Sequence, residues 1–479
     1  METGLQKKYG LFTAIAMVVG IVIGSGVFFK AQTVLEKTEG NMPMGILAWV
    51  IGGLIMLACI VAFAVMATKY EKVNGIVDYA EAAVGEKYGY AVGWFLTMIY
   101  YPAMTSVLAW VTARYTLVFI TSAFPSVELM VPASEGGCVV GPECMALSVF
   151  YMCAAYAVNA LSPIIAGKFQ VATTVIKMIP LFLMAIVGIV LGLISEDGIL
   201  IENMMHTGNG AGGGGTLFAA VVATCFAYEG WIIATSINSE IKDAKKNLPI
   251  ALLVGGIIIM ATYVLYYIGV SGGASVDQLI NDGATVAFTN LFGKAIGSVL
   301  NAFIAISCMG TLNGLMLGCT RGIYSLAARD RGPRPYVFKQ VDTATNMAHN
   351  SAIFGLLLCG VWFIFFYGAN LAVRNWFGYF AFDSSELPIV TIYALYWPIF
   401  IGFMKKATDM PPFKRFVIPA IAMAASLFMV VAAIYAHGIQ PYLAAKETGS
   451  FSCPVLFYLI IFAVVMIVGM KYSGIKKEK

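Results

Sequence analysis

Long apolar runs follow one another through almost the whole of this 479-residue chain, and that patterning constrains the fold more than any motif does. A helix of roughly 20 apolar residues crosses the hydrocarbon core of a bilayer. Twelve runs of that length lie near 9–29, 43–67, 88–121, 146–164, 169–194, 216–236, 248–270, 296–322, 350–368, 377–404, 414–436 and 453–471. The third and eighth are long enough to tilt or to extend beyond the bilayer. The chain is 60% hydrophobic and 11% charged, whereas a soluble domain carries about 25% charged residues. Mean hydropathy is +0.85. One water-facing globule could not cover so much apolar surface, so the expectation is an all-α polytopic membrane protein of twelve transmembrane helices. The first run lacks an A-x-A-like exit and continues into a patterned loop, so no cleavable signal peptide is expected.

Loop charge orients the bundle. Lys7, Lys8, Lys69, Lys72, Lys242, Lys245, Lys246, Arg329, Arg331, Arg334, Lys339, Lys405, Lys406, Lys414, Arg415 and the C-terminal lysines fall on one side. The opposite loops at 122–146 and 195–216 contain neither Lys nor Arg. The positive-inside rule then puts both termini in the cytoplasm of a multi-pass plasma-membrane protein. The net charge of +4 is explained by topology, and no nucleic-acid partner is expected.

Chemistry of other kinds finds little support. Residues 208–215 are Gly-rich but have no following Gly-Lys-Ser/Thr, and they read as a flexible connector. No Walker A pattern occurs, which argues against an ATP-driven pump. His-Glu-x-x-His is absent too, and the three histidines are scattered. Neither an enzyme, a cofactor nor a metal site is expected. Most of the nine cysteines fall in apolar runs as small core residues. Cys138 and Cys144 instead share a long loop on the predicted outside, where a disulfide and two free thiols are both open.

Two runs carry a defect. Gly24-Ser25-Gly26 interrupts the first near mid-span, and Glu229-Gly230 interrupts the sixth. Glycine weakens a helix by about 1 kcal/mol relative to alanine. Taken alone, Gly20-Ile21-Val22-Ile23-Gly24 is also a small-xxx-small packing pattern. Two interrupted helices five runs apart suit two inverted five-helix repeats in which helices one and six are equivalent. Carriers built that way bind their substrate at broken helices near the midplane.

Read in order, several short motifs resemble a known family. They are Ile23-Gly24-Ser25-Gly26-Val27-Phe28, Asn74-Gly75-x-x-x-Tyr79, and Gly89-Tyr90-x-x-Gly93-Trp94. Asn159, Gln170 and Lys177-x-x-Pro180 come next, then Phe226-Ala227-Tyr228-x-Gly230-Trp231 with Glu240, and Asn313-Gly314 with Arg321 and Arg329. This set resembles the L-type amino-acid transporters of the amino acid–polyamine–organocation superfamily, nearer its bacterial serine/threonine and alanine/serine/cysteine exchangers. It covers runs one to eight; runs nine to twelve match in hydropathy alone.

The resemblance implies one transporter domain over residues 1–479, with a 5+5 inverted-repeat core of leucine-transporter type. Repeat one would span about 9–194 and repeat two about 216–404. Helices one and six would be unwound, and helices eleven and twelve, at about 414–471, peripheral. It implies sodium-independent exchange of neutral L-amino acids by alternating access. The alternatives are a proton-coupled amino-acid symporter and an amine or polyamine antiporter of the same fold. Substrate-binding residues would be Val22, Ile23, Gly24, Ser25, Gly26, Phe226, Ala227, Glu229 and Gly230. The Ser25 and Gly26 amides and the Ser25 hydroxyl would take the substrate carboxylate. Carbonyls of Val22, Phe226 and Glu229 would take its ammonium, and the Phe226 ring would be the gate.

Lys177, well inside the fifth run, would stand where sodium-coupled relatives hold a cation, with a structural ion pair as the other reading. The Glu229 side chain has two readings: a cap on the half-helix N-terminus, or a proton or amine partner in the site. Asp383-Ser384-Ser385-Glu386 precedes Leu387-Pro388 and is expected to form a solvated rim at the outer mouth. The partners implied are an amino-acid substrate and the bilayer. Animal relatives pair with a single-span glycoprotein through an outer cysteine, but nothing in this sequence indicates such an accessory chain.

Overall fold

The computed structural model describes residues 10–70, 75–161, 163–194, 199–207, 214–234, 241–342 and 347–474. It is an all-helical bundle. The principal helices are α1 (Leu11–Val22), α2 (Gly26–Lys37), α3 (Met42–Lys69), α4 (Ile76–Ala83), α5 (Glu86–Ala123) and α6 (Pro142–Leu161). Then come α7 (Pro163–Leu183), α8 (Gly214–Tyr228), α9 (Trp231–Ala234), α10 (Ala244–Ser271), α11 (Ala284–Ala327) and α12 (His349–Phe366). The last three are α13 (Leu387–Lys406), α14 (Ile418–Ile434) and α15 (Pro454–Lys471). A π-helical turn at Met184–Gly188 and a short helix at Ile189–Ile194 continue α7.

Ten of these helical stretches are long and apolar enough to span a bilayer, and α1 with α2 forms an eleventh that bends by 48°. The sixth apolar run is helical too, but its longest unbroken apolar helix is only Thr216–Tyr228. Side chains such as Val361, Ile364, Val464 and Ile467 are more than half exposed on the outside of the bundle. That is the surface lipid would cover, with every backbone group already satisfied inside its own helix.

Some boundaries differ from the hydropathy runs, each for a local reason. The tenth helix starts at Leu387 and not near 377, because the Asp383 carboxylate accepts from the amides of Ser385 (2.7 Å) and Glu386 (3.1 Å). Pro388 then sits in the first turn, where its missing N–H is harmless. The eighth run begins earlier, at Ala284, and is broken at Gly293, whose φ of 76° is left-handed. Asn41 caps α3 by accepting from the Met44 amide at 2.9 Å. Cys138 and Cys144 are both free and buried, so the disulfide considered for them is not formed. Asn74, Glu240 and most of the Gly-rich stretch lie outside the described residues, as does the side chain of Gln170.

Packing sorts the helices into two sets. α2 lies on α8, α8 on α3, and α10 on both α3 and α1. The second set is α5, α6, α7 and α11, with α11 packed along α5 and α7. The Gly89-Tyr90-x-x-Gly93-Trp94 motif serves packing. Tyr90 donates to the Gly469 carbonyl and Trp94 to that of Val465, both at 2.9 Å, which fastens α15 to α5. α10 also crosses the end of the α7 run at a glycine pair. A Cβ on Gly269 would run into the Met184 carbonyl, and one on Gly188 into the Gly269 carbonyl.

Two backbones this close leave no room for a methyl group, and overpacking of this kind costs about 1–3 kcal/mol. Gly269→Ala is therefore expected to lower the melting temperature of the detergent-purified protein measurably. An unchanged melting curve would contradict the close crossing.

Candidate functional site

The helix break in the first run comes from an interrupted hydrogen-bond ladder. The Ile23 amide still donates to Val19 (2.9 Å), but the chain extends there, with ψ of 104°. The ladder resumes when Phe28 donates to the Ser25 carbonyl at 3.1 Å. Among the described residues, the amides of Gly24, Ser25, Gly26 and Val27 take no backbone acceptor. They are the orphan donors of the α2 N-terminus, where the helix dipole favours an anion. The Ser25 hydroxyl is fully buried without a hydrogen-bond partner, and the Cys308 thiol lies beside it.

Opposite, α8 stops at Tyr228 and the chain turns through Glu229-Gly230 before α9. Gly230 has φ of +102°, a conformation that side chains rarely adopt, so this position requires glycine. Gly26 is needed for closeness, since a Cβ there would lie 2.5 Å from the Ala227 Cα. The two breaks thus touch. The Tyr263 hydroxyl of α10 joins them, 3.1 Å from the carbonyl oxygens of both Val22 and Ala227. Lys177 of α7, 2% exposed, donates to the Gly20 carbonyl one turn before the first break.

A cavity of about 300 Å³ opens between the two helix sets. Ile21, Val22, Gly24, Ser25 and Gly26, with Phe226, Ala227, Glu229 and Gly230, form one wall. Tyr100, Met104, Asn159, Thr311, Asn313 and Arg321 line the other. The second wall is braced by Asn159, which donates to the Asn313 carbonyl (3.1 Å) and to its side-chain oxygen (2.9 Å). Glu229 is 7% exposed. The Gly230 amide and the Tyr100 hydroxyl sit beside its carboxylate, both at longer range than a well-formed hydrogen bond. A wall with free amides on one side and a carboxylate and carbonyls on the other suits a ligand carrying both an anion and a cation.

The cavity is lopsided. A second space of about 210 Å³ shares Tyr100, Gly314, Leu317 and Arg321 with it and continues to Gly75, Val77 and Ser325. That path leads toward the face carrying Lys69, Arg329 and Arg331. There Arg329 pairs with Asp78 (2.8 Å), Arg331 with Glu86 (2.7 Å), and Lys69 with Asp409. Toward the cation-poor face the cavity ends at aromatic rings. Phe226 packs edge-on against Phe29 at 5.9 Å between centroids, and Phe29 against Trp110 at 5.4 Å. Beyond them lies a vestibule of about 770 Å³ that has no lining residue in common with the cavity.

The structure brings together the residues expected from sequence at the two breaks, except that Ile23 is buried beside the cavity without lining it. The expectation for Asp383–Glu386 is overturned. Ser384 is fully buried, Ser385 is 4% exposed and Glu386 2%, because Glu386 pairs with Lys30 at 2.6 Å and with His437 at 3.0 Å. Sequence reasoning missed Tyr263, Tyr100 and Lys30. A tyrosine within an apolar run looks like core. A lysine just past a break carries no sign of the partner 356 residues away.

Comparison with known proteins fits this geometry. Residues 9–466 match the amino acid permease family. The chain is 28% identical over 443 residues to the serine/threonine exchanger SteT of Bacillus subtilis (strain 168), covering 90% of this chain and 91% of that one. It is 24% identical over 447 residues to the human b(0,+)-type amino acid transporter 1, covering 92% and 85%. Identity to the human Asc-type amino acid transporter 1 is 26% over 366 residues, covering 75% and 65%. Among solved structures, the crystal structure of MhsT in complex with L-phenylalanine superposes with a TM-score of 0.58 at 12% identity, over 88% of this chain and 98% of that one. This chain belongs to the amino acid permease family and is an amino-acid transporter of the amino acid–polyamine–organocation superfamily.

Proposed function

We propose that this protein is a sodium-independent exchanger of neutral L-amino acids in the plasma membrane, with both termini cytoplasmic. The observation that carries the proposal is a cavity lodged between two touching helix breaks, reaching one face of the bundle and shut off from the other. Exchanger relatives matched over nine-tenths of the chain support it. The core in this reading has 5+5 inverted repeats, with twelve spans in all. Alternating access is the rocking of the broken-helix set against the α5–α7–α11 set. The orphan amides of Ser25 and Gly26 and the Ser25 hydroxyl take the substrate carboxylate. Carbonyls of Val22, Phe226 and Glu229 take the ammonium, Val22 using the lone pair that Tyr263 leaves. Phe226 is the gate toward the outside.

Lys177 fits the place of a bound cation. Its ammonium is fixed to the Gly20 carbonyl and ties α7 to the broken helix, which a diffusible sodium ion does in other carriers of this fold. A specific observation favours a second reading. The buried Glu229 carboxylate in the cavity suits a carrier of protons or of a second amine. Counterflow into liposomes separates the readings, with labelled neutral amino acids against putrescine or agmatine, and with a pH gradient in place of internal amino acid. Uptake of neutral amino acids that depends on internal amino acid supports exchange. Uphill uptake on the gradient alone, or transport of the amines only, supports the second reading.

The carboxylate site gives a first expected outcome. A hydrogen bond to a charged group contributes about 1.5–3 kcal/mol, so Ser25→Ala should weaken substrate binding about tenfold or more while the protein stays monodisperse. Binding at parental affinity, measured by scintillation proximity, would falsify the role of the hydroxyl.

Lys177 gives another. Exchange should run equally fast in sodium and in choline buffer. Lys177→Ala leaves the Gly20 carbonyl without its donor, at about 1–3 kcal/mol. That is enough to shift a two-state equilibrium about tenfold. The variant should fold but exchange at a small fraction of the parental rate. Strict sodium dependence in the parent protein would remove the basis of this assignment.

A further inference from the structure

One charged residue beside the path takes no part in the binding mode above. Arg321 lines both the cavity of about 300 Å³ and the space of about 210 Å³ that continues from it. Gly314 and Leu317 do so too, and spacings of three and four put all three on one stripe of α11. Among the described residues that line the two spaces, Glu229 and Arg321 are the charged ones. The cations nearer the face are engaged, Arg329 with Asp78 and Arg331 with Glu86. Arg321 is exposed, and among the described residues it makes neither an ion pair nor a hydrogen bond. Snorkelling to the interface would account for an arginine two turns from the helix end. It would not account for its place in the lining of the cavity itself.

Helix geometry separates this guanidinium from the break. A Cβ on Gly24 would lie 2.6 Å from the Thr311 hydroxyl, so Thr311 marks the level of the break on α11. Arg321 follows ten residues later, about 15 Å further toward the cation-rich face. Side chains lean toward the N-terminus of their helix, which here is back up the path toward the cavity. An extended arginine covers about half of that length. The guanidinium and the orphan amides are therefore two successive stops for a carboxylate. A carboxylate leaving water for a passage walled by Val77, Leu96, Ile232 and Leu317 loses hydration, at a cost that a fixed cation offsets. The planar guanidinium fork also matches a carboxylate in shape. Glu229, deeper in the cavity, repels that carboxylate and attracts an ammonium, so a zwitterion enters with its ammonium ahead.

We propose that Arg321 forms a second, inner subsite, where it binds the carboxylate of an amino acid before the Ser25 and Gly26 amides take it over. The subsite serves molecules arriving from the cation-rich side and sets the affinity of that side alone. This rests on the amino-acid exchanger reading above, and it adds where on the path the substrate is first held.

Transport measured in right-side-out and inside-out vesicles of the expression host reads the two sides apart. The probe is labelled L-serine or L-leucine, whichever the parent protein exchanges faster. Arg321→Gln should raise KM on the cation-rich side about tenfold, as expected when a hydrogen bond to a charged group is lost. KM on the opposite side should stay within about twofold, because the orphan amides remain. Arg321→Lys keeps the cation without the fork and should give an intermediate KM, and it serves if Arg321→Gln does not fold. Propionate, a carboxylate without an ammonium, should inhibit the parent competitively from the cation-rich side. It should do so about tenfold more weakly in Arg321→Gln. An arginine that only snorkels would move neither the ratio of the two KM values nor the propionate inhibition. Parental KM values in Arg321→Gln, or an equal rise on both sides, would overturn the subsite. Counterflow by the parent protein is scored separately. Its absence would overturn the exchanger reading, and the KM ratio of net uptake would still decide the subsite.

Discussion

Backbone groups without partners are what this bundle is organised around. In a hydrocarbon layer an unpaired N–H or C=O is costly, so a span is normally one unbroken helix. Here two spans give up part of their ladder at the same depth, and each concession is compensated by a side chain from elsewhere. Tyr263 bridges the Val22 and Ala227 carbonyls, and Lys177 reaches the Gly20 carbonyl from α7. The amides of Ser25 to Val27 are the exception, with no backbone acceptor. They remain available to a ligand, and the close approach of Gly26 to Ala227 keeps the two breaks facing one another.

How much of this was legible in the sequence follows from the range of each interaction. The spans were legible because hydropathy is local, and both breaks were, because glycine at mid-span needs a reason within its own helix. Lys177 was legible for a similar cause: a lysine inside an apolar run must meet something polar. Asp383–Glu386 misled for the complementary reason. Four polar residues ahead of a proline look like a water-exposed helix start, and one of them, Asp383, does accept from the amides of Ser385 and Glu386 just before the helix. What takes Glu386 out of water is a lysine 356 residues earlier and a histidine 51 residues later, which no local pattern encodes. Tyr263 was hidden in the same way, as its polar end matters only once α10 lies across both breaks.

Charge is distributed unequally around the cavity. On the cation-rich face the ion pairs are partly exposed: Asp409 keeps 67% of its side-chain surface and Glu86 64%. Such pairs contribute about 1 kcal/mol or less and separate easily. On the other face the Lys30–Glu386 pair is buried, with the ammonium against the Phe29 and Phe226 rings, and separating the charges there costs far more unless each finds a new partner. The open side is bordered by contacts that solvent already weakens.

An amino acid entering such a cavity changes that balance. In the binding mode proposed above, its carboxylate gives the orphan amides of α2 the acceptor they lack, and its ammonium gives the carbonyls at the α8 break a donor. In that mode both contacts draw the two breaks together, and the second involves the backbone of Phe226. A ligand shifts a conformational equilibrium only by the difference in its affinity for the two forms. The form in which the breaks close around it is the one that gains. Because Lys30 lies on α2 one turn beyond the amides, any tilt of α2 toward the substrate is transmitted to the pair with Glu386. In the exchanger proposed above, rearrangement is favoured when the site is filled and resisted when it is empty.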